Sequence, residues 1–115
     1  MNISDVNAKL LDEFTDTLWL EDGLSRNTLT SYRSDLWLLC EWLVKQSLGT
    51  RSLKEATHSD LLTFLATRVA SLAKASTTSR ELSSMKRFYR FLLRQGKIQV
   101  DPSLAQYLFF HGYID

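Results

Sequence analysis

The chain has 115 residues, 44% of them hydrophobic and 23% charged, enough to bury one core and ordinary for a soluble globular protein. It carries no long apolar run for a membrane helix and no basic-then-apolar leader in its first residues, and its single cysteine, Cys40, excludes an internal disulfide and fits a cytoplasmic protein. The net charge of +1 conceals a separation: residues 1–22 set Lys9 against six acids for −5, whereas residues 74–97 set seven basic side chains against Glu81 alone for +6.

Four helices are expected in chain order. Ser4 or Asp5 caps the first, and Val6, Leu10, Leu11, Phe14 and Leu18 recur at helical spacing until Gly23 stops it. Ser25 caps the second, whose buried stripe is Leu29, Tyr32, Leu36, Leu39, Cys40 and Leu43, with Gly49 ending it. A linker with Arg51 and Lys54 follows, from Gly49 to Ala56. Thr57-His58-Ser59-Asp60 is close to a capping box and opens the third helix, with Leu61, Leu62, Leu65 and Val69 on one face and Leu72 extending it.

The fourth helix starts within Ser76-Thr77-Thr78 and runs to Gln95, with Gly96 as its stop. Leu82, Met85, Phe88, Tyr89 and Leu92 form its inward stripe. At about 100° per residue, Arg80, Ser83, Arg87 and Arg94 fall on roughly the opposite face. A basic face of this density is an electrostatic footprint for a polyanion, the alternative being a solvated helix surface. One proline, four glycines and short connections suit an all-α bundle of four to five helices, and no internal repeat interrupts it.

Enzyme chemistry finds no support. One cysteine and two distant histidines, His58 at a helix start and His111 in the tail, do not build a zinc site, and neither histidine has a nucleophilic partner. No glycine-rich phosphate loop is present, and no cofactor is expected. Asp12, Glu13 and Asp16 read as a solvated helix face, His58 as exposed, and Tyr32 and Tyr89 as core side chains with wet hydroxyls.

Two segments carry a family resemblance. The first, Phe14 to Leu43, contains Leu18-Trp19-Leu20-Glu21-Asp22-Gly23-Leu24-Ser25-Arg26-Asn27-Thr28-Leu29, then Tyr32-Arg33, Asp35-Leu36 and Glu41-Trp42-Leu43. The second, Ser76 to Pro102, contains Thr78-Ser79-Arg80-Glu81-Leu82-Ser83-Ser84-Met85-Lys86-Arg87-Phe88-Tyr89, then Gly96-Lys97-Ile98 and Asp101-Pro102. In order and spacing they resemble the N-terminal core-binding, SAM-like domain of the tyrosine recombinases or phage integrases, most of all the XerD branch. The resemblance implies a helical domain over residues 1–102 that forms half of a clamp around a DNA half-site, with residues 103–115 as a tail. It implies double-stranded DNA as partner and, in a full-length parent, a second XerC-like recombinase in a tetramer and the FtsK translocase, in chromosome dimer resolution. Matched by position, it places Arg26, Asn27, Thr28 and Ser31 at DNA on the second helix, and Ser76, Thr77, Arg80, Ser83, Ser84 and Arg87 on the fourth.

The residues leave alternatives at several of these positions. Thr28 completes the Ser25 cap in one reading, and Arg33, Arg90 and Arg94 are solvated or paired with acids in another. The family's catalytic side chains are not found in the chain, and the tail from Leu104, with Phe109, Phe110 and Tyr113, departs from the family's polar linker. A rival from another class is a helical protein–protein interaction module that uses the acidic and basic segments.

Overall fold

In the computed structural model, which describes residues 2–71 and 73–104, every regular element among the described residues is helical. The expected all-α class holds. The chain divides into two compact units, residues 1–55 and residues 56–115.

In the first unit, α1 spans Ile3–Thr17. Asn2, not Ser4 or Asp5, is its cap: the Asn2 Oδ1 accepts from the Asp5 amide at 2.8 Å. Asparagine caps as well as serine or aspartate, and from position 2 it satisfies one of the orphan amides while Asp5 sits in the first turn, where the helix dipole favours an acid. Leu10, Leu11, Phe14 and Leu18 are buried as the spacing predicts. Asn7 is buried among them, and its Oδ1 accepts from the Leu53 amide at 2.8 Å, tying α1 to the 3-10 turn Leu53–Glu55.

The chain then widens into a π turn over Leu18–Asp22, where the Gly23 amide donates five residues back to the Leu18 carbonyl. Gly23 closes it at φ 63°, a conformation that glycine adopts without strain. Trp19 and Leu20 are exposed here.

The second helix, α2, spans Arg26–Ser47 with Ser25 as cap; it packs on α1, and its Leu36, Leu39, Cys40 and Leu43 are buried. Its end falls earlier than expected. Leu48 itself turns left-handed at φ 54°, and the Gly49 amide, itself at φ 78°, donates to the Val44 carbonyl at 2.9 Å. A side chain in that conformation costs about 1–2 kcal/mol.

In the second unit, α3 spans His58–Ala70 behind the expected capping box: the Thr57 Oγ1 accepts from the Asp60 amide at 3.1 Å, and the Asp60 Oδ2 accepts from the Thr57 amide at 2.8 Å. Its buried face is Leu61 and Phe64, with Leu62 and Leu65 half-buried. Val69, expected on the buried stripe, is exposed, because it lies about 110° around α3 from the midpoint of the buried Leu61 and Phe64. Leu72 lies outside the described residues. His58 is half-buried rather than exposed, with Nδ1 3.4 Å from the Pro102 carbonyl.

The fourth helix, α4, spans Ala75–Arg94, starting just ahead of the expected Ser76-Thr77-Thr78. Lys74 occupies the cap position and provides no side-chain hydrogen bond. Met85, Phe88, Tyr89 and Leu92 are buried as expected, and Phe91 joins them, whereas Leu82 is half-buried. The Phe88 and Tyr89 rings meet edge to face at 5.1 Å. Gly96 ends the helix at φ 71°, where the Lys97 amide reaches the Leu92 carbonyl at 2.9 Å. Asp101 is buried and its Oδ1 accepts from the Ser103 amide and hydroxyl, closing a turn. The aromatic tail residues Phe109, Phe110 and Tyr113 lie outside the described residues, as does His111.

Candidate nucleic-acid interface

The sequence-predicted site residues fall into two groups, one in each unit. In the first unit they occupy the start of α2. Arg26 and Asn27 are exposed on its first turn, and Thr28 and Ser31 are half-buried. The Thr28 amide donates to the Ser25 Oγ at 3.2 Å, and the two hydroxyls lie 2.9 Å apart. Thr28 is therefore a member of the cap, and its hydroxyl meets a ligand only through the lone pairs or proton that the cap leaves over. Arg33 is engaged as well: its Nη1 lies 2.7 Å from the Asp12 Oδ1, with the two side chains 37% and 65% exposed.

Beside these residues lies a shallow cleft of about 240 Å³ lined by Thr15, Asp16, Trp19, Arg26, Leu29, Thr30 and Arg33. The π turn builds its outer wall by carrying Trp19 away from the core. Sequence spacing gave no sign of this, because a π turn resets the 100° register without any marker residue except the glycine that ends it.

In the second unit the group lies along α4. Ser76, Arg80 and Ser83 are exposed and Arg87 is half-buried, and two further arginines of the helix outside the predicted set, Arg90 and Arg94, are exposed. At 100° per residue these six fall within an arc of about 80° and run for about 27 Å along the helix. Thr77, about 100° away from Ser76, is half-buried at the margin.

Ser84 fails as a surface residue. It is 0% exposed, and its Oγ donates to the Glu81 carbonyl at 2.8 Å. The flank of α4 that carries Ser84 and Phe91 is covered, so the open arc is narrower than the sequence suggests.

Glu81 is the decisive electrostatic element. It is the one acid among residues 74–97, and it is completely buried. From α3, the Arg68 Nε contacts both of its carboxylate oxygens at 3.0 and 3.1 Å, and the Arg68 Nη2 reaches Oε1 at 2.8 Å. The carboxylate is thus compensated inside the unit, and none of its charge is displayed among the basic side chains of α4. Sequence reasoning missed Arg68. The signal was an acid on the inward stripe, four residues before Met85 and seven before Phe88, because a buried carboxylate requires a paired cation.

Other chemistry is sparse. Among the described residues no three His, Cys, Asp or Glu side chains gather as metal ligands, and no helix is long and apolar enough to cross a membrane. Burial, reinforced by the Glu41 carboxylate and opposed by Arg33, pushes the Cys40 thiol up from near 9 to about 12, so it stays protonated and poorly nucleophilic at neutral pH.

Residues 11–96 match the model of the phage integrase N-terminal SAM-like domain. Curated relatives include the tyrosine recombinase XerD of Proteus mirabilis, 44% identical over 102 residues that make up 89% of this chain and 32% of that protein. The XerD of Pseudomonas putida is 45% identical over 83% of this chain and 31% of its own length. The XerD of Pseudomonas aeruginosa is 40% identical over 89% of this chain and 33% of its own length. The chain spans about a third of the length of these curated relatives.

Proposed function

The chain belongs to the phage integrase family, and from that premise we propose that it is the DNA-binding, core-binding domain of an XerD-like tyrosine recombinase. Arg26, Asn27, Thr28 and Ser31 would act from α2, and Ser76, Thr77, Arg80, Ser83 and Arg87 from α4. Ser84 is left out because it is buried. The observation that carries the reading is the α4 face. Arginines and short hydroxyls share one arc, and the segment's only acid is held inside by Arg68. Arginines of this kind neutralise phosphates, while serine, threonine and asparagine donate to phosphate oxygens or read base edges.

The finer role in this proposal is recognition of one recombination half-site in chromosome dimer resolution. A XerC-like recombinase would be the tetramer partner, and the FtsK translocase a regulator. The domain occupies residues 1–102, and cutting and rejoining of DNA fall to residues outside this chain.

The test is anisotropy of a labelled duplex bearing a Xer-type recombination site, against a scrambled duplex, across a salt series. Binding should weaken with salt and still prefer the site. Arg80→Ala and Arg87→Ala should each reduce the magnitude of the salt slope by about 1 without changing helix content. Absence of binding at low salt, or parental binding by both variants, overturns the reading. A second reading, a protein-interaction surface, is favoured by exposed Trp19 and Leu20 beside exposed Glu21 and Asp22. Concentration-dependent self-association by sedimentation, with no duplex binding, would support it.

A further inference from the structure

We propose that Arg68 and Glu81 form a positioning pair that sets the direction of the DNA-contacting face of α4, an inference that rests on the DNA-binding reading. The N-terminal end of α4 is weakly held by its own chemistry. Lys74 contributes no side-chain cap. The next residues, Ala75-Ser76-Thr77-Thr78-Ser79, are mostly serine and threonine, which compete with helical hydrogen bonding. The Thr78 hydroxyl donates back to the Ala75 carbonyl at 3.1 Å, a bond of that competing kind. Ser76, Thr77 and Arg80 all lie in this stretch or one residue beyond it.

Glu81 is the first fully buried residue of α4, and it is adjacent in sequence to Arg80. Three nitrogen–oxygen contacts of 2.8–3.1 Å join it to a planar guanidinium on α3. A fork of this kind specifies orientation as well as distance, which a single-point contact does not. It fixes the rotation of α4 about its own axis where the weak stretch ends. Arg80, about 100° around the helix from Glu81, is thereby held toward solvent before DNA arrives. The bond from the Ser84 hydroxyl to the Glu81 carbonyl secures the same turn at 2.8 Å. Neither Arg68 nor Glu81 touches DNA in this account: both act through Arg80.

The experiment is a double-mutant cycle on duplex affinity, run where circular dichroism shows each variant folded. Arg80→Ala is measured in the parent and in the double variant Arg68→Met/Glu81→Leu, which removes the fork without stranding a buried charge. It should weaken binding about fivefold in the parent, as for one lost hydrogen-bonded contact, and less than twofold in the double variant. Arg68→Lys keeps the charge but not the fork, and should give an intermediate loss; it carries the test if the double variant does not fold. An equal Arg80→Ala effect in all backgrounds reduces the pair to a structural role and overturns the inference. Parental affinity for Arg80→Ala also overturns it, while leaving α2 able to carry the function. Failure of the parent to bind any duplex overturns the functional reading first.

Discussion

An arginine–carboxylate pair in the first unit and another in the second are opposites in physical terms. Arg33 and Asp12 meet through one 2.7 Å contact with both side chains over a third exposed. Arg68 and Glu81 meet through a fork, with the arginine 27% exposed and the carboxylate not at all. In the first unit the pair is a surface accessory, screened by water and competing with solvent for its partners. In the second it is part of the interior, and its presence there determines what α4 displays. The comparison teaches that a basic segment is defined as much by where its lone acid goes as by how many arginines it holds.

The sharpest way to break the comparison is to remove both arginines in turn. Arg68→Ala leaves Glu81 buried without its cation and should cost about 3 kcal/mol, the low end of the range for such a break because Arg68 keeps some water. Arg33→Ala should cost well under about 1 kcal/mol. Urea unfolding of both variants reads the difference, and equal losses would show that burial does not separate the pairs.

A second contrast concerns alkaline pH, where the first unit should respond through Cys40. Its thiol is raised to about 12 in the folded chain, mainly by burial, so the unfolded chain loses its proton first. That stability is fully present below pH 9 and is lost as pH rises toward 12, with a slope of up to about 1.4 kcal/mol per pH unit. Urea unfolding of Cys40→Ala across that window should show a flatter dependence than the parent. Parallel curves would mean that the thiol is not shielded.

The two helix starts differ too. Ser25→Ala should cost about 1 kcal/mol, since α2 depends on that hydroxyl. Lys74→Ala should cost only a few tenths of a kcal/mol, since α4 takes no side-chain bond from it. Smaller still in expected effect on function, Ser84→Ala should leave duplex affinity unchanged, because the hydroxyl faces the interior. A clear loss of affinity in a folded Ser84→Ala would return that residue to the interface.

Much of this molecule was legible in its sequence. The Ser25 cap, the Thr57–Asp60 box, the stops at Gly23 and Gly96, and the arc of Arg80, Ser83, Arg87 and Arg94 follow from relations within a few residues of one another. A cap needs an oxygen three residues ahead of an amide, and a helical face needs only the 3.6-residue period. These are properties of the local chain, and they hold wherever the helix is packed.

Tertiary structure alone decided which polar groups were taken inward. Asn7 answers an amide 46 residues away, and Arg68 answers a carboxylate 13 residues away on another helix. Ser84 and Glu81 lose their access to water although they neighbour residues that keep it. Val69 keeps its exposure despite lying on the apolar period. Periodicity gives the direction of a side chain, but burial depends on what covers that direction, and the energy of an ion pair depends on the solvent that packing leaves around it.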